Sequence, residues 1–449
     1  MRNGNDVIVA VELGSSSIRA IAGRRLPNGN IEVIGLADEP AQNCIHKGTV
    51  ENIEKTTQAI ASVIARLDLV AGGHIKSVYV GLGGQSLHSR KNSVKRQFPE
   101  VTQITSHMVD MMLDSNYNEN YAGYNIHEVV QQESLVGNRQ VEDPVGMQAE
   151  NIEARFLNVV ARAALEDNIR KCVKAAGLSV ADILVSPLML ADAVLRPDEK
   201  RSGCAVVDIG AETTTITVYT KNILRHLIVL PIGGANVTQD IAAQKIEWDE
   251  AEMLKLKHGT AYRNDTVSDE ETIELNYGQK ITTDKLLNII EARYEEIVAN
   301  AWHQIKPYSD LLLSGQVVLT GGVSRAKNLV PCFQFFAQCN KQVKIFKGLP
   351  DGIVTSPSVI IPEDGRYLTL MGLLLHGDQN CLATKEPEKP KEEIIPVKHE
   401  ETEEERQARE AKEAEERAAA EKPTIEAHKK ESWWRNVWKK VQDGLSEPE

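Results

Sequence analysis

"AVVDIGAETTTITVY" (205–219) and "VAVELGSSSIRAIA" (9–22) follow one scheme. Each has an apolar strand, an acidic residue (Asp208, Glu12), an apolar residue and a glycine (Gly210, Gly14), then hydroxyl residues and a second apolar strand. The two carboxylates stand 196 positions apart, from 12 to 208. That spacing is too long for a solenoid repeat and predicts two similar lobes, each presenting one hairpin.

The chemistry of such hairpins follows from what a phosphate needs. A strand ending in a tight glycine turn lets backbone N–H groups approach an anion with no side chain in the way. At these turns the backbone runs through Gly14 and through Gly210, Ala211 and Glu212. The hydroxyls of Ser15, Ser16, Ser17, Thr213 and Thr214 add donors. A carboxylate just before the glycine would repel a phosphate directly, so Glu12 and Asp208 are candidates to hold Mg2+, through water, against the β and γ oxygens.

One hairpin of this kind is common in proteins of every function, so the matched pair carries the reading. A third segment, "VVLTGGVSRAKNL" (317–329), supports it with a buried strand, a turn through Gly321, Gly322 and Val323, and a following helix. There the backbone can lie flat against a base or ribose phosphate. "PIGGANVTQD" (231–240) puts Gly233 and Gly234 before another helix, a place that either approaches the phosphates or simply turns the chain. In "EAEMLKLKHG" (250–259), Glu252 and Lys255 share one helical face, and Gly259 is placed to end the helix. By spacing alone, that pair reads equally well as a solvated ion pair.

Other nucleotide and hydrolase signatures are missing. No G-x-x-x-x-G-K-[ST] occurs, and "VGLGGQS" (80–86) fails G-x-G-x-x-G because Ser86 stands at the last glycine. H-E-x-x-H and G-x-S-x-G are likewise absent.

Composition sets the outer bounds. With 449 residues, 42% of them hydrophobic, the chain can bury a large core and is too long for one ordinary domain. Its formal net charge of −13, with no long Lys/Arg block, argues against nucleic acid as a partner. The six cysteines show no C-x-x-C spacing, which predicts reduced core thiols rather than a zinc site or disulfide framework. No separate apolar segment with a cleavage site opens the chain, and no run of eighteen apolar residues occurs, so neither secretion nor a membrane span is expected.

From Asp6 to about Ala383, short Val/Ile-rich runs alternate with amphipathic stretches, an α/β pattern. Residues 384–430 then hold 15 Glu, 11 Lys or Arg and no aromatic residue, a composition that cannot bury enough surface to fold alone and reads as a disordered or partly helical spacer.

In order along the chain, "VELGSSSIRA", "DPVGM" (143–147), "VVDIGAETTTITVY", "EAEMLKLKHG", "EARYEEI" (291–297) and "VVLTGGVSRAKNL" resemble the FtsA family of bacterial cell-division proteins. That family is a branch of the superfamily of actin, the heat-shock chaperone ATPases and hexokinase. The resemblance implies an actin-like two-lobed ATPase fold. Subdomain 1A would cover 1–84 and 167–198, with 1C inserted at 85–166. Subdomain 2A would cover 199–242 and 310–383, with 2B inserted at 243–309, followed by the linker 384–430 and a C-terminal amphipathic helix and tail at 431–449. The stretch "DSNYNENYAGYN" (114–125) departs from the family's usual wording inside 1C.

The same resemblance implies ATP and Mg2+ in the cleft between lobes, with Glu252 and Lys255 against the ribose and adenine. Relatives in the superfamily carry a carboxylate where "LVSPLML" (184–190) has Ser186 and Pro187, so slow or negligible turnover is expected. It also implies self-association into filaments, contact with later divisome membrane proteins, and a 2B site for the acidic C-terminal peptide of the tubulin-like protein FtsZ. Lys285 and Arg293, eight apart in one helical stretch, are the candidates to meet that peptide, although Arg293 can equally pair with Glu296 on its own helix. A sugar kinase would need an acidic base beside the phosphates, and a chaperone a β-sandwich after the ATPase; neither segment is evident.

"SWWRNVWKK" (432–440) completes the sequence reading. Read as a helix, it puts Trp433, Trp434, Val437, Trp438, Val441 and Leu445 on one face and Arg435, Lys439 and Lys440 on the other. From 433 to 445 such a helix is about 20 Å long, too short to cross a hydrocarbon core of about 30 Å. It suits the surface of an anionic membrane, where tryptophan favours the headgroup boundary. The expected location is cytoplasmic, peripheral on the inner face of the cell membrane at the division septum.

Overall fold

The computed structural model describes residues 6–383 apart from 42, 264–270, 279, 313–314 and 339. The charged linker and the tryptophan-rich tail, with every membrane-facing residue named above, lie outside the described residues.

The internal echo extends from the two hairpins to two whole sheets. In the first lobe, strands Val7–Leu13, Ser17–Arg25 and Ile31–Pro40 form an antiparallel meander, and Ser77–Leu82 and then Ser179–Val185 add in parallel beside the first of them. In the second lobe, Cys204–Ile209, Thr214–Thr220 and Ile223–Leu230 form the meander, and Gln316–Thr320 and then Gln342–Ile345 add in parallel. Both lobes therefore read 3-2-1-4-5, and in both the acidic residue sits near the end of the first, central strand. The two central strands, Val7–Leu13 and Cys204–Ile209, are nearly continuous apolar runs because both of their faces are covered.

Two glycines show how helices cover both faces of the first sheet. Gly35 pairs with Ala22, and a Cβ on Gly35 would lie 2.6 Å from Val70 of the helix Ile53–Ala71. The next residue, Gly23, faces the other way, and its Cβ would lie 2.9 Å from Leu374 of the helix Leu368–His376. The helix Ile53–Ala71 is bounded by local chemistry. The Asn52 side chain accepts from the Lys55 amide at 2.9 Å, and Gly72 ends the helix at φ +77°.

The described chain ends inside the first lobe. Ile353–Thr355 joins the edge strand Ile31–Pro40, the Cys381 amide donates to the Val7 carbonyl at 2.7 Å, and the Tyr79 hydroxyl donates to Asp378 at 2.8 Å.

An antiparallel layer is inserted into the first lobe's chain, and it continues the second lobe's sheet, because His88 pairs with Ile228. Its long strands His88–Gln103 and Gln148–Arg162 pair along most of their length, and the helix Ser106–Tyr117 lies over a small core of Ile104, Met112, Ile152 and Phe156. The polar stretch 114–125 has a structural reason here. Asn116, fully buried, donates to Asn158 at 2.7 Å and accepts from it at 3.0 Å, and it also accepts from Asn92 at 2.8 Å. Asn158 also donates to the Tyr121 hydroxyl at 3.0 Å. A buried amide cluster of this kind is stable only when its members satisfy one another.

In the second lobe, the long helix Thr283–Ile305 buries Leu286, Ile290, Tyr294, Ile297, Val298, Ala301 and Ile305 in the lobe's main core, at three- and four-residue spacing. The five described cysteines are buried and unpaired. Among the described residues no helix is long and apolar enough to cross a membrane.

Candidate nucleotide cleft

The two hairpin turns bring Glu12 and Asp208 into one another's electrostatic field. Glu12 Oε2 is buried with no hydrogen-bond partner, and the Arg19 guanidinium stands 3.8 Å from it. Desolvation pushes the Glu12 carboxyl up to about 7, against the pull of Arg19, and the nearby Asp208 charge adds to the rise. Burial likewise pushes Asp208 up to about 6, although it accepts a hydrogen bond from Thr320 Oγ1 at 3.2 Å.

Two dehydrated carboxylates from opposite lobes, one with an orphaned oxygen, fit a hydrated divalent cation. No cluster of three direct protein ligands occurs among the described residues, so water would have to fill the remaining positions.

The second-lobe half of the cleft is built from glycines pressed against backbone. The Gly234 amide donates to the Gly210 carbonyl at 2.9 Å and the Ala235 amide to the Ala211 carbonyl at 2.6 Å, which seats the helix Gly234–Ala242 on the second turn. A Cβ on Gly233 would lie 2.6 Å from both carbonyls, and one on Gly234 would lie 2.6 Å from Val323. Gly321 has φ +86°, and a Cβ there would lie 2.5 Å from Asp208 Oδ1, so no other residue fits without displacing the carboxylate. Gly322 is open by comparison, with Arg366 Cγ 3.8 Å away.

Glu252 and Lys255 form the pair their spacing allowed, at 2.7 Å, and it is not merely solvated. Lys255 Nζ also donates to Thr238 Oγ1 at 2.8 Å and to the Gly234 carbonyl at 3.1 Å, tying the helix Trp248–His258 to the glycine turn. Gly259 is the C-cap of that helix.

Some predicted residues are engaged elsewhere. Thr214 Oγ1 donates to the Ile232 carbonyl at 2.8 Å, so this hydroxyl braces the turn. Ser16 Oγ accepts from Arg19 at 3.3 Å, and Ser15 Oγ accepts from the Gly48 amide at 2.9 Å. The Ser17 carbonyl lies 2.9 Å from where a Cβ on Gly14 would stand.

Ser186 opens the helix Ser186–Val194, whose first turn has no acidic residue. Asp192, further along that helix, is committed to Lys200 and to His376, the latter at 3.0 Å. In the helix Thr283–Ile305, Arg293 bonds Asp240 through Nε at 2.6 Å and Nη2 at 2.9 Å, and it also pairs with Glu296. Lys285 is exposed.

Sequence reasoning missed a first-lobe element of the cleft, the small hairpin of Ile45–His46 and Thr49–Val50. The Lys47 amide at its tip donates to Glu212 Oε2 at 2.6 Å. The available signal was "HKG" (46–48), a turn with glycine. The rejected "VGLGGQS" serves this tip: a Cβ on Gly84, which has φ +118°, would lie 2.7 Å from the Gly48 carbonyl oxygen.

Comparison with known proteins agrees with this architecture. A family model described as "Cell division protein FtsA" matches residues 205–361, and one described as "Type IV pilus assembly protein PilM" matches 10–267. The FtsA of Porphyromonas gingivalis is 29% identical over 85% of this chain and 80% of its own length. That of Pseudomonas aeruginosa is 31% identical over 83% of this chain and 89% of its own length. Among solved structures, a PilM–PilN type IV pilus biogenesis complex shares the fold with TM-score 0.59 at 17% identity, over 84% of this chain and 98% of the matched one. The chain belongs to the FtsA family of cell division proteins.

Proposed function

We propose that the chain binds ATP with Mg2+ between its lobes and acts as a self-associating, membrane-attached scaffold that links FtsZ filaments to the inner face of the cell membrane at the septum and helps recruit later divisome proteins. The observation that best supports the nucleotide is the meeting of Glu12, with its orphaned oxygen, and Asp208 at the mouths of two matched glycine turns. In this reading the two carboxylates hold water on the cation, and residues 14–17 and 211–213 donate backbone and hydroxyl hydrogens to the phosphates, with Gly210 and Thr214 bracing the second turn. Gly233 and Gly234, seated on the second turn, approach the phosphates, residues 321–323 lie against the base or ribose phosphate, and Glu252 and Lys255 meet the ribose and adenine. The cation, when bound, neutralises the terminal phosphate charge. Turnover is slow because no carboxylate in the first turn after Ser186 orients a water.

Calorimetry tests the nucleotide. ATP with Mg2+ should bind the wild type, and Asp208→Ala should weaken it about tenfold, the equivalent of about 1.4 kcal/mol. Unchanged affinity in Mg2+ would remove Asp208 from the site.

The FtsZ peptide, being acidic, would approach the helix Thr283–Ile305 at exposed Lys285. It would take the place of Glu296 on Arg293 while Asp240 keeps that guanidinium in position. Peptide binding that survives charge reversal of Lys285 and Arg293 would refute this surface. The tail would moor the body to anionic lipid, and self-association would multiply weak anchors by avidity. Co-flotation with anionic liposomes should be lost on truncation after Lys430 and on Trp434→Glu with Trp438→Glu; equal flotation of all three proteins would sink the anchor.

A further inference from the structure

The tip 46–48 touches both turns of the cleft. The Gly48 amide donates to Ser15 Oγ of the first turn at 2.9 Å, and the Lys47 amide donates to Glu212 Oε2 of the second at 2.6 Å. His46 Nδ1 is 3.1 Å from that same Glu212 oxygen. The tip is firmly seated on its own lobe, where the Gln85 amide donates to the Lys47 carbonyl at 3.0 Å and a Cβ on Gly48 would lie 2.6 Å from the Gly84 Cα. Glu212 therefore fastens a rigid piece of the first lobe to the turn of the second.

That turn runs from Gly210, whose amide donates to the Thr213 carbonyl at 2.8 Å, and it is the same backbone that would receive a terminal phosphate. We propose that Glu212 is a latch sensitive to the γ-phosphate. With the cleft free or holding a diphosphate it binds the 46–48 tip, and a terminal phosphate on its own turn expels it and releases the tip from the second lobe. The proposal rests on the ATP reading above.

Two features favour release. Like charges in a partly dehydrated cleft repel more strongly than in water, and the Glu212 side chain, 27% exposed, has a path to solvent. The Lys47 amide then loses its acceptor, which exposes it to exchange. Ser15 behaves differently, because a hydroxyl can donate to a phosphate oxygen while still accepting from Gly48. One attachment holds and the other lets go, so the tip stays with the first lobe.

Amide hydrogen exchange over residues 44–52 of the full-length protein tests this. The samples are wild type, Glu212→Ala and Glu212→Gln, each free, with MgADP, and with Mg2+ and a non-hydrolysable ATP analogue, with occupancy checked by calorimetry. Free Glu212→Ala should exchange about tenfold faster than wild type, as expected for loss of one charge-assisted hydrogen bond. Wild type should stay slow with the diphosphate and approach the Glu212→Ala rate with the triphosphate. Glu212→Gln keeps an acceptor without its charge, so it should stay slow in all three states. Unchanged exchange in free Glu212→Ala, or equal wild-type rates with both nucleotides bound, would overturn the latch alone. Absence of any nucleotide binding to wild type would overturn the ATP reading and the latch with it. Should Glu212→Ala fail to fold, wild type against Glu212→Gln across the three states decides.

Discussion

The two hairpins share a topology and differ in what surrounds their carboxylates. Glu12, in the first lobe, faces a cation: Arg19 sits opposite it in the register and 3.8 Å away. Asp208, in the second, feels the same Arg19 charge but its close contacts are a neutral hydroxyl and a glycine: Thr320 donates to it at 3.2 Å and Gly321 packs against it. The repeated backbone brings the two carboxyls within electrostatic reach of each other; Arg19 of the first lobe pulls on both, and the second lobe adds a hydroxyl and a glycine of its own around Asp208. The second lobe's arrangement is the less forgiving, because a side chain on Gly321 has no room to move aside, whereas an arginine can shift.

The largest break in this comparison should come from Gly321→Val. It combines φ +86° for a β-branched residue with a Cβ at 2.5 Å from Asp208, and it should destabilise the protein by roughly 3 kcal/mol or more while abolishing nucleotide binding. Denaturant melts check the first effect and calorimetry the second. Gly14→Ala, at ordinary φ with its closest contact at 2.9 Å, should cost markedly less.

A second test lies at the seam between the inserted layer and the second lobe. Glu133, buried, pairs with Arg225 of the strand Ile223–Leu230, with Nη2 at 2.6 Å, and this holds its carboxyl down to about 2. A depressed carboxylate contributes stability that is fully present above its unfolded value near 4.5 and is lost as pH falls toward 2. Glu133→Ala should therefore cost about 3 kcal/mol at pH 7, by stranding Arg225, and the gap to wild type should narrow below pH 4 in urea melts. A gap that is independent of pH would assign the loss to packing instead.

The smallest expected effect concerns turnover. Phosphate release by wild type should stay below about 1 s⁻¹, the low end of common enzyme rates. A faster rate would show that some group other than one at Ser186 orients the water.

The parts of the site that were legible in the sequence are local. Strand, carboxylate, glycine and hydroxyl fall within a dozen residues of each other, so their order alone predicts a phosphate turn, and two copies predict two lobes. What could not be read depends on distant partners. Glu212 meets Lys47 across 165 positions, and Arg293 meets Asp240 across 53, so helical spacing suggested Glu296 and missed the bidentate partner. The polar stretch 114–125 looked foreign for the same reason, since Asn116 makes sense only beside Asn158, a strand formed 42 positions later. The glycines of "VGLGGQS" did carry a close backbone approach, but to Gly48 rather than to a dinucleotide.

The return of the chain into its first lobe sets a timetable for its birth on the ribosome. Val9 donates its amide to Cys381 Sγ across 372 positions, and the edge strand Ile31–Pro40 waits for Ile353–Thr355. At about 5–20 residues per second, roughly 20–70 seconds of synthesis separate the first strand from its last neighbour. The second lobe, whose strands span 204–345, can close sooner. The half of the molecule that is made first is thus finished last, and through that interval its uncovered edge is a natural client for a nascent-chain chaperone.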